Sequence, residues 1–139
     1  MKSHGEVLSK IISKFFEIGF YNQIYYEIVV TNKRLILVNM GESYKPWMLS
    51  IDPGINKREE FEKLDLDEIV EYNEKNISID YDDIKEIRLN GRTLFKNANM
   101  IINTEDEEFK LYTKEKQIDF SDTYELLQKF MGEKVTLKK

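Results

Sequence analysis

The 139-residue chain predicts a mainly β, α+β fold: antiparallel strands, a helical insertion between them and one closing helix. Three observations carry this expectation. Two apolar runs flank a polar Asn-Lys pair in "YEIVVTNKRLILVNMG", Tyr26 to Gly41. Short alternating segments parted by turn residues run from Ile77 to Tyr112, and a helical apolar stripe precedes Gly132.

Glu6 to Phe15 is long enough for a strand, although Ile11, Ile12, Phe15 and Phe16 also fit a helical stripe. Strand is preferred, because a helix would leave the edge of the next hairpin uncovered. Gly19 to Gln23 supplies a break. In the hairpin, a two-residue turn at Asn32-Lys33, with Asn32 at positive φ, pairs Thr31 with Arg34. That register puts Ile28, Val30, Leu35 and Leu37 on one face and Glu27, Val29, Thr31, Arg34, Ile36 and Val38 on the other. The first face is wholly apolar and is expected in the core. The second mixes Val29, Ile36 and Val38 with two charges, so something is expected to cover part of it.

Between Ser43 and Asn76 the composition turns charged and rich in helix formers after the Pro53-Gly54 turn signal. Asn56 with Glu59 and Asp65 with Glu68 have capping-box spacing and predict helices at about Lys57–Leu64 and Leu66–Glu74. Their apolar stripes are narrow (Phe61 and Leu64; Leu66, Ile69 and Val70), so both must dock on something else. The second hairpin face is one candidate. In "ISIDYDDIKEIRLNGRTLF", Ile77, Ile79 and Tyr81 alternate with polar residues, as do Ile87 and Leu89, and Asn90-Gly91 predicts a two-residue turn. "MIINTEDEEFKLY" predicts a further hairpin around Glu105-Asp106, with Phe109 and Leu111 facing inward. Finally "SDTYELLQKFMG" predicts a helix capped by Ser121 or Asp122, striped by Thr123, Leu127, Phe130 and Met131 and stopped at Gly132.

Composition sets bounds. With 41% hydrophobic residues, one domain over 1–139 with one core is expected. The absence of cysteine removes disulfides, thiolate metal sites and thiol nucleophiles, and suits a reducing cytoplasm. Lys10, Lys14 and Glu17 interrupt the apolar N-terminal stretch, which falls short of the roughly 18 residues of a membrane span, so a soluble cytoplasmic protein is expected. The net charge of -5, from 21 basic and 26 acidic residues, argues against nucleic acid as a partner, because duplex binding relies on clustered cations. Acidic residues gather at Glu59–Glu74 and Glu105–Glu108. Lys85, Arg88, Arg92 and Lys96 form the one extended basic cluster and are a candidate anion patch, although a turn at Asn90-Gly91 would separate their faces.

The order of elements, together with "YEIVVTNKRLILV", "ISIDYDDIKEIRL" and "MIINTEDEEFKLY", resembles the bacterial and archaeal pleckstrin-homology-like (PH-like) domains. The resemblance leaves out Pro46 to Lys75 (about 46–75), which stands as a helical insertion. It implies a split antiparallel barrel of two roughly orthogonal sheets plugged by the C-terminal helix, and an adaptor without catalytic activity. Lipid-binding members grip inositol phosphates with Lys and Arg in the loop between the first two strands. The corresponding loop here, Glu17 to Gln23, has no basic residue, so that mode is not expected.

Reactive constellations are sparse. His4 is the lone histidine, and no Gly-Lys-Ser/Thr, G-x-G-x-x-G or G-x-S-x-G motif occurs. Asp80, Asp82 and Asp83 could offer oxygens to a hard cation but lack the spacing of a Ca2+ loop, and a capped turn before Ile84 is preferred. No catalytic residue, cofactor, metal or small-molecule substrate is therefore expected. The leading expectation is a non-enzymatic interaction module that contacts a protein partner or a second copy, as a homo-oligomer, through Val29, Ile36, Val38 and Trp47. Trp47 marks a recognition spot where it is exposed and a core contact where it is not. The alternative is a peripheral binder of membrane surfaces or anionic lipid head groups, acting through the basic cluster or the Trp47 region.

Overall fold

The computed structural model describes residues 5–18, 22–43, 65–72, 74–116 and 118–138. Over these the chain is mainly β, with eight strands and two α-helices. It divides into two compact units, Met1–Ser78 and Ile79–Lys139.

In the first unit β1 (Leu8–Ile18), β2 (Gln23–Thr31) and β3 (Arg34–Ser43) form an antiparallel meander. The segment that fitted both strand and helix is thus a strand, because pairing with β2 satisfies its backbone while its large side chains Phe15 and Phe16 are buried. Between Ile12 and Phe15 a β-bulge sets Ser13 and Lys14 against the single residue Glu27. Lys14 takes φ +69°, the one positive φ among the described non-glycine residues.

The register of β2 on β3 is the expected one, with Val30 opposite Leu35, Val29 opposite Ile36 and Ile28 opposite Leu37. The turn chemistry differs. Asn32 is not at positive φ, so the turn is not the mirror-image type. Instead Thr31 Oγ1 accepts from Lys33 N (3.1 Å) and Arg34 N (3.0 Å), while Asn32 works outward. Its Oδ1 accepts from Val7 N (2.7 Å) and its Nδ2 donates to Gly5 O (3.1 Å), which ties the segment before β1 to the hairpin tip. Both hairpin faces are covered within one chain: Ile28, Val30, Leu35 and Leu37, and equally Val29, Ile36 and Val38, are 0% exposed.

Of the two helices expected in the insertion, Lys57–Leu64 lies outside the described residues. The second is present and shorter, α1 (Leu66–Val70). Its capping box is as expected: Glu68 N donates to Asp65 Oδ1 (2.9 Å) and Asp65 N to Glu68 Oε1 (3.1 Å). It stops early because Asn76 Nδ2 donates to the Ile69 carbonyl (3.1 Å), while Asn76 Oδ1 accepts from Asn39 N on β3 (3.2 Å). One side chain therefore closes the helix and fastens it to β3, against which α1 packs with Ile69 fully buried. β4 (Ile77–Asp80) begins in this unit, next to β3 in strand order.

In the second unit β5 (Ile84–Asn90), β6 (Asn99–Thr104) and β7 (Glu108–Tyr112) form an antiparallel meander. The expected turn around Glu105-Asp106 is present, closed by Thr104 N donating to Glu107 O (2.8 Å). Ile87, Leu89, Met100, Ile102, Phe109 and Leu111 are buried along one face. The helix α2 (Ser121–Met131) starts one residue earlier than the cap spacing predicts: its N-cap is Phe120, and the Asp119 carboxylate accepts from Ser121 N (2.9 Å). Neither Ser121 nor Asp122 is the N-cap, and the N-cap itself makes no side-chain capping hydrogen bond. Thr123 and Leu127 are buried, Phe130 stacks on Tyr81 with ring centroids 5.6 Å apart, and Gly132 ends the helix at φ +63°. A strand the sequence analysis omitted follows, β8 (Val135–Lys138), parallel to β5, so the order is β7-β6-β5-β8.

Candidate functional site

Asn90-Gly91 does not form the two-residue turn its sequence predicts. A mirror-image turn needs positive φ at both central residues, and neither has it. Asn90 is held in the sheet instead: it pairs with Asn99 on β6 and Lys138 on β8, its Nδ2 donates to Asn99 Oδ1 (2.9 Å), and Gly91 N donates to Lys138 O (2.7 Å). The reversal comes later, in a loop of residues 91–98 between β5 and β6.

That loop is internally organised. Thr93 N donates to Lys96 O (3.0 Å), and Thr93 Oγ1 accepts from Phe95 N (3.3 Å) and Lys96 N (3.1 Å). Its far end is fastened by Thr113 N to Ala98 O (3.0 Å) and by Asn99 Nδ2 to Asn97 O (3.1 Å). At its tip Leu94 and Phe95 are 94% and 93% exposed, between exposed Arg92 and Lys96. Scattered apolar residues on a surface are ordinary. Here two adjacent ones are displayed at a hydrogen-bonded turn between two cations.

The expected site residues separate. Val29 on β2 and Ile36 and Val38 on β3 are fully buried, so they are not a surface. Trp47 lies outside the described residues, as do His4 and part of the Glu17–Gln23 loop. The basic cluster divides by position. Arg92 and Lys96 flank the loop tip, whereas exposed Arg88 on β5 pairs with Glu86 at 2.9 Å, and exposed Lys85 sits at the register shift near the start of β5. Sequence reasoning missed Leu94 and Phe95, which it absorbed into a strand. The usable signal was the adjacency of two large apolar residues, which breaks the period of two.

Glu6 accepts from Arg34 Nε (2.9 Å), Arg34 Nη2 (3.0 Å) and Thr31 Oγ1 (2.7 Å). Burial pushes the Glu6 carboxyl up, but these donors, with the positive charges of Arg34 and Lys33, outweigh it and hold the group below the usual carboxylate range. Asp82 and Asp83 are exposed in a 3-10 turn, Tyr81–Asp83. Among the described residues no group of three or more His, Cys, Asp or Glu is arranged to hold a metal ion, and no helix is long and apolar enough to cross a membrane. Compared with family models, curated proteins and solved structures, the chain matches none.

Proposed function

We propose that this chain is a non-enzymatic, cytoplasmic interaction module of PH-like type whose contact element is the loop between β5 and β6. The observation that carries the reading is the near-complete exposure of Leu94 and Phe95 on an ordered turn between Arg92 and Lys96. Large apolar side chains left in water at an ordered position are available to lose that water on binding. The PH-like part is supported by the order of strands, helical segment, strands and amphipathic helix, to which β8 is an addition. The two-sheet barrel belongs to the same proposal. Self-association through Val29, Ile36 and Val38 loses its support with their burial, and a partner protein or second copy is now sought at the loop. A second reading, the membrane surface, is favoured by the pairing of apolar tip and flanking cations.

The chain has no cysteine, so Asn97→Cys, exposed beside the tip, accepts a single polarity-sensitive dye. Its emission is followed against rising unlabelled chain, and separately against lipid vesicles. A shift in either arm that disappears with Leu94→Ser/Phe95→Ser supports the loop as the contact element. No shift in either arm, with a molar mass that stays at 16.6 kDa in light scattering, sinks it.

A further inference from the structure

We infer that the β5–β6 loop docks this chain on an anionic membrane surface, with Leu94 and Phe95 entering the boundary between head groups and acyl chains and Arg92 and Lys96 meeting lipid anions. The inference rests on the reading of the loop as the contact element and names its partner.

Three features favour a lipid surface over a protein groove or a free phosphate. The first is the backbone. Backbone polar groups are costly to carry toward a medium without water unless they are satisfied, and three N–H groups of the tip, those of Thr93, Phe95 and Lys96, are bonded inside the loop, that of Leu94 not being among them. The second is the order of side chains, cation, apolar pair, cation, at the tip of a turn, which suits an interface with apolar depth and charged rim. A free phosphate would give Leu94 and Phe95 no role. The third is anchorage: both ends of the loop are fastened to the sheet, by Gly91 N to Lys138 O and Thr113 N to Ala98 O, so little ordering entropy remains to be lost on docking.

The net charge of -5 shapes the expectation. Electrostatic reach is about 8 Å at physiological ionic strength, so the two loop cations act on the surface locally while the acidic remainder is repelled. Docking is therefore weak, selective for anionic lipid and reduced by salt.

The test is co-sedimentation of the full chain with phosphatidylcholine vesicles, with and without phosphatidylserine, at low and high salt. The chain is expected to bind only the phosphatidylserine vesicles, and less at high salt. Leu94→Ser/Phe95→Ser and Arg92→Gln/Lys96→Gln are each expected to lower the bound fraction about tenfold or more. Lys129→Gln, which removes an exposed cation from α2, is expected to leave it unchanged. Circular dichroism verifies that each variant keeps the wild-type fold. No binding to phosphatidylserine vesicles overturns the inference, and so does equal binding by Leu94→Ser/Phe95→Ser or equal loss with Lys129→Gln. If the dye at residue 97 responds to unlabelled chain and not to vesicles, the loop remains a contact element and its partner is a second copy.

Discussion

Glu6 and Arg34 show how one ion pair secures the segment before β1. The carboxylate receives two guanidinium N–H groups and the Thr31 hydroxyl, and its side chain is only 6% exposed, so its loss leaves a guanidinium without its partner. Glu6→Gln is expected to cost about 1.5–3 kcal/mol in urea unfolding. The pH dependence follows from the lowered carboxyl. The unfolded chain takes up the proton first, so the contribution is complete above the ordinary carboxylate value of about 4.3. It is lost as pH falls through that value and then through the native one. A Glu6→Gln chain should therefore show a shallower loss of stability on its acid limb; an unchanged slope would contradict the pairing. At Lys14 the left-handed backbone sets a different rule. Lys14→Val is expected to cost roughly 1–2 kcal/mol more than Lys14→Asn, because a β-branched side chain crowds its own carbonyl there and Asn tolerates positive φ.

Elements here end where side chains intercept their carbonyls or where the backbone needs glycine. Asn76 closes α1 and joins it to β3 with two bonds, so Asn76→Ala should cost about 1–3 kcal/mol and release the helix. Hydrogen exchange would report this as lost protection at Ile69 and Glu71, whose N–H groups donate within the helix, with β1 and β2 little changed. At Gly132 a Cβ would meet nothing within 4 Å, so Gly132→Ala isolates the conformational cost of φ +63° with ψ −129°, about 1–3 kcal/mol in thermal unfolding. Gly132→Asn should cost a similar amount, because ψ −129° lies outside the left-handed helical region that Asn tolerates.

Across the molecule, the first hairpin accounts for the largest expected effect. Ile36 is 0% exposed, and a glutamate there would bury an unpaired charge. Ile36→Glu is expected to cost about 4 kcal/mol or more and to abolish the cooperative melt, whereas Ile36→Val should cost about 0.5–1.5 kcal/mol. A folded Ile36→Glu chain with altered molar mass would instead restore this face as an interface between copies.

The strands other than β8, the hairpin register, the α1 capping box and the Gly132 stop were legible in the sequence because each depends on neighbours within a few residues: side-chain alternation, cap spacing, a glycine after an apolar stripe. Tertiary pairing decided the rest. Asn90-Gly91 is a turn only when no strand claims it, and here β6 and β8 both pair with Asn90. That moved the reversal to residues 91–98 and put Leu94 and Phe95 in water. The sequence predicted a second hairpin face in need of cover, but the burial of Val29, Ile36 and Val38 within one chain comes from contacts between residues distant in sequence, which no local pattern encodes.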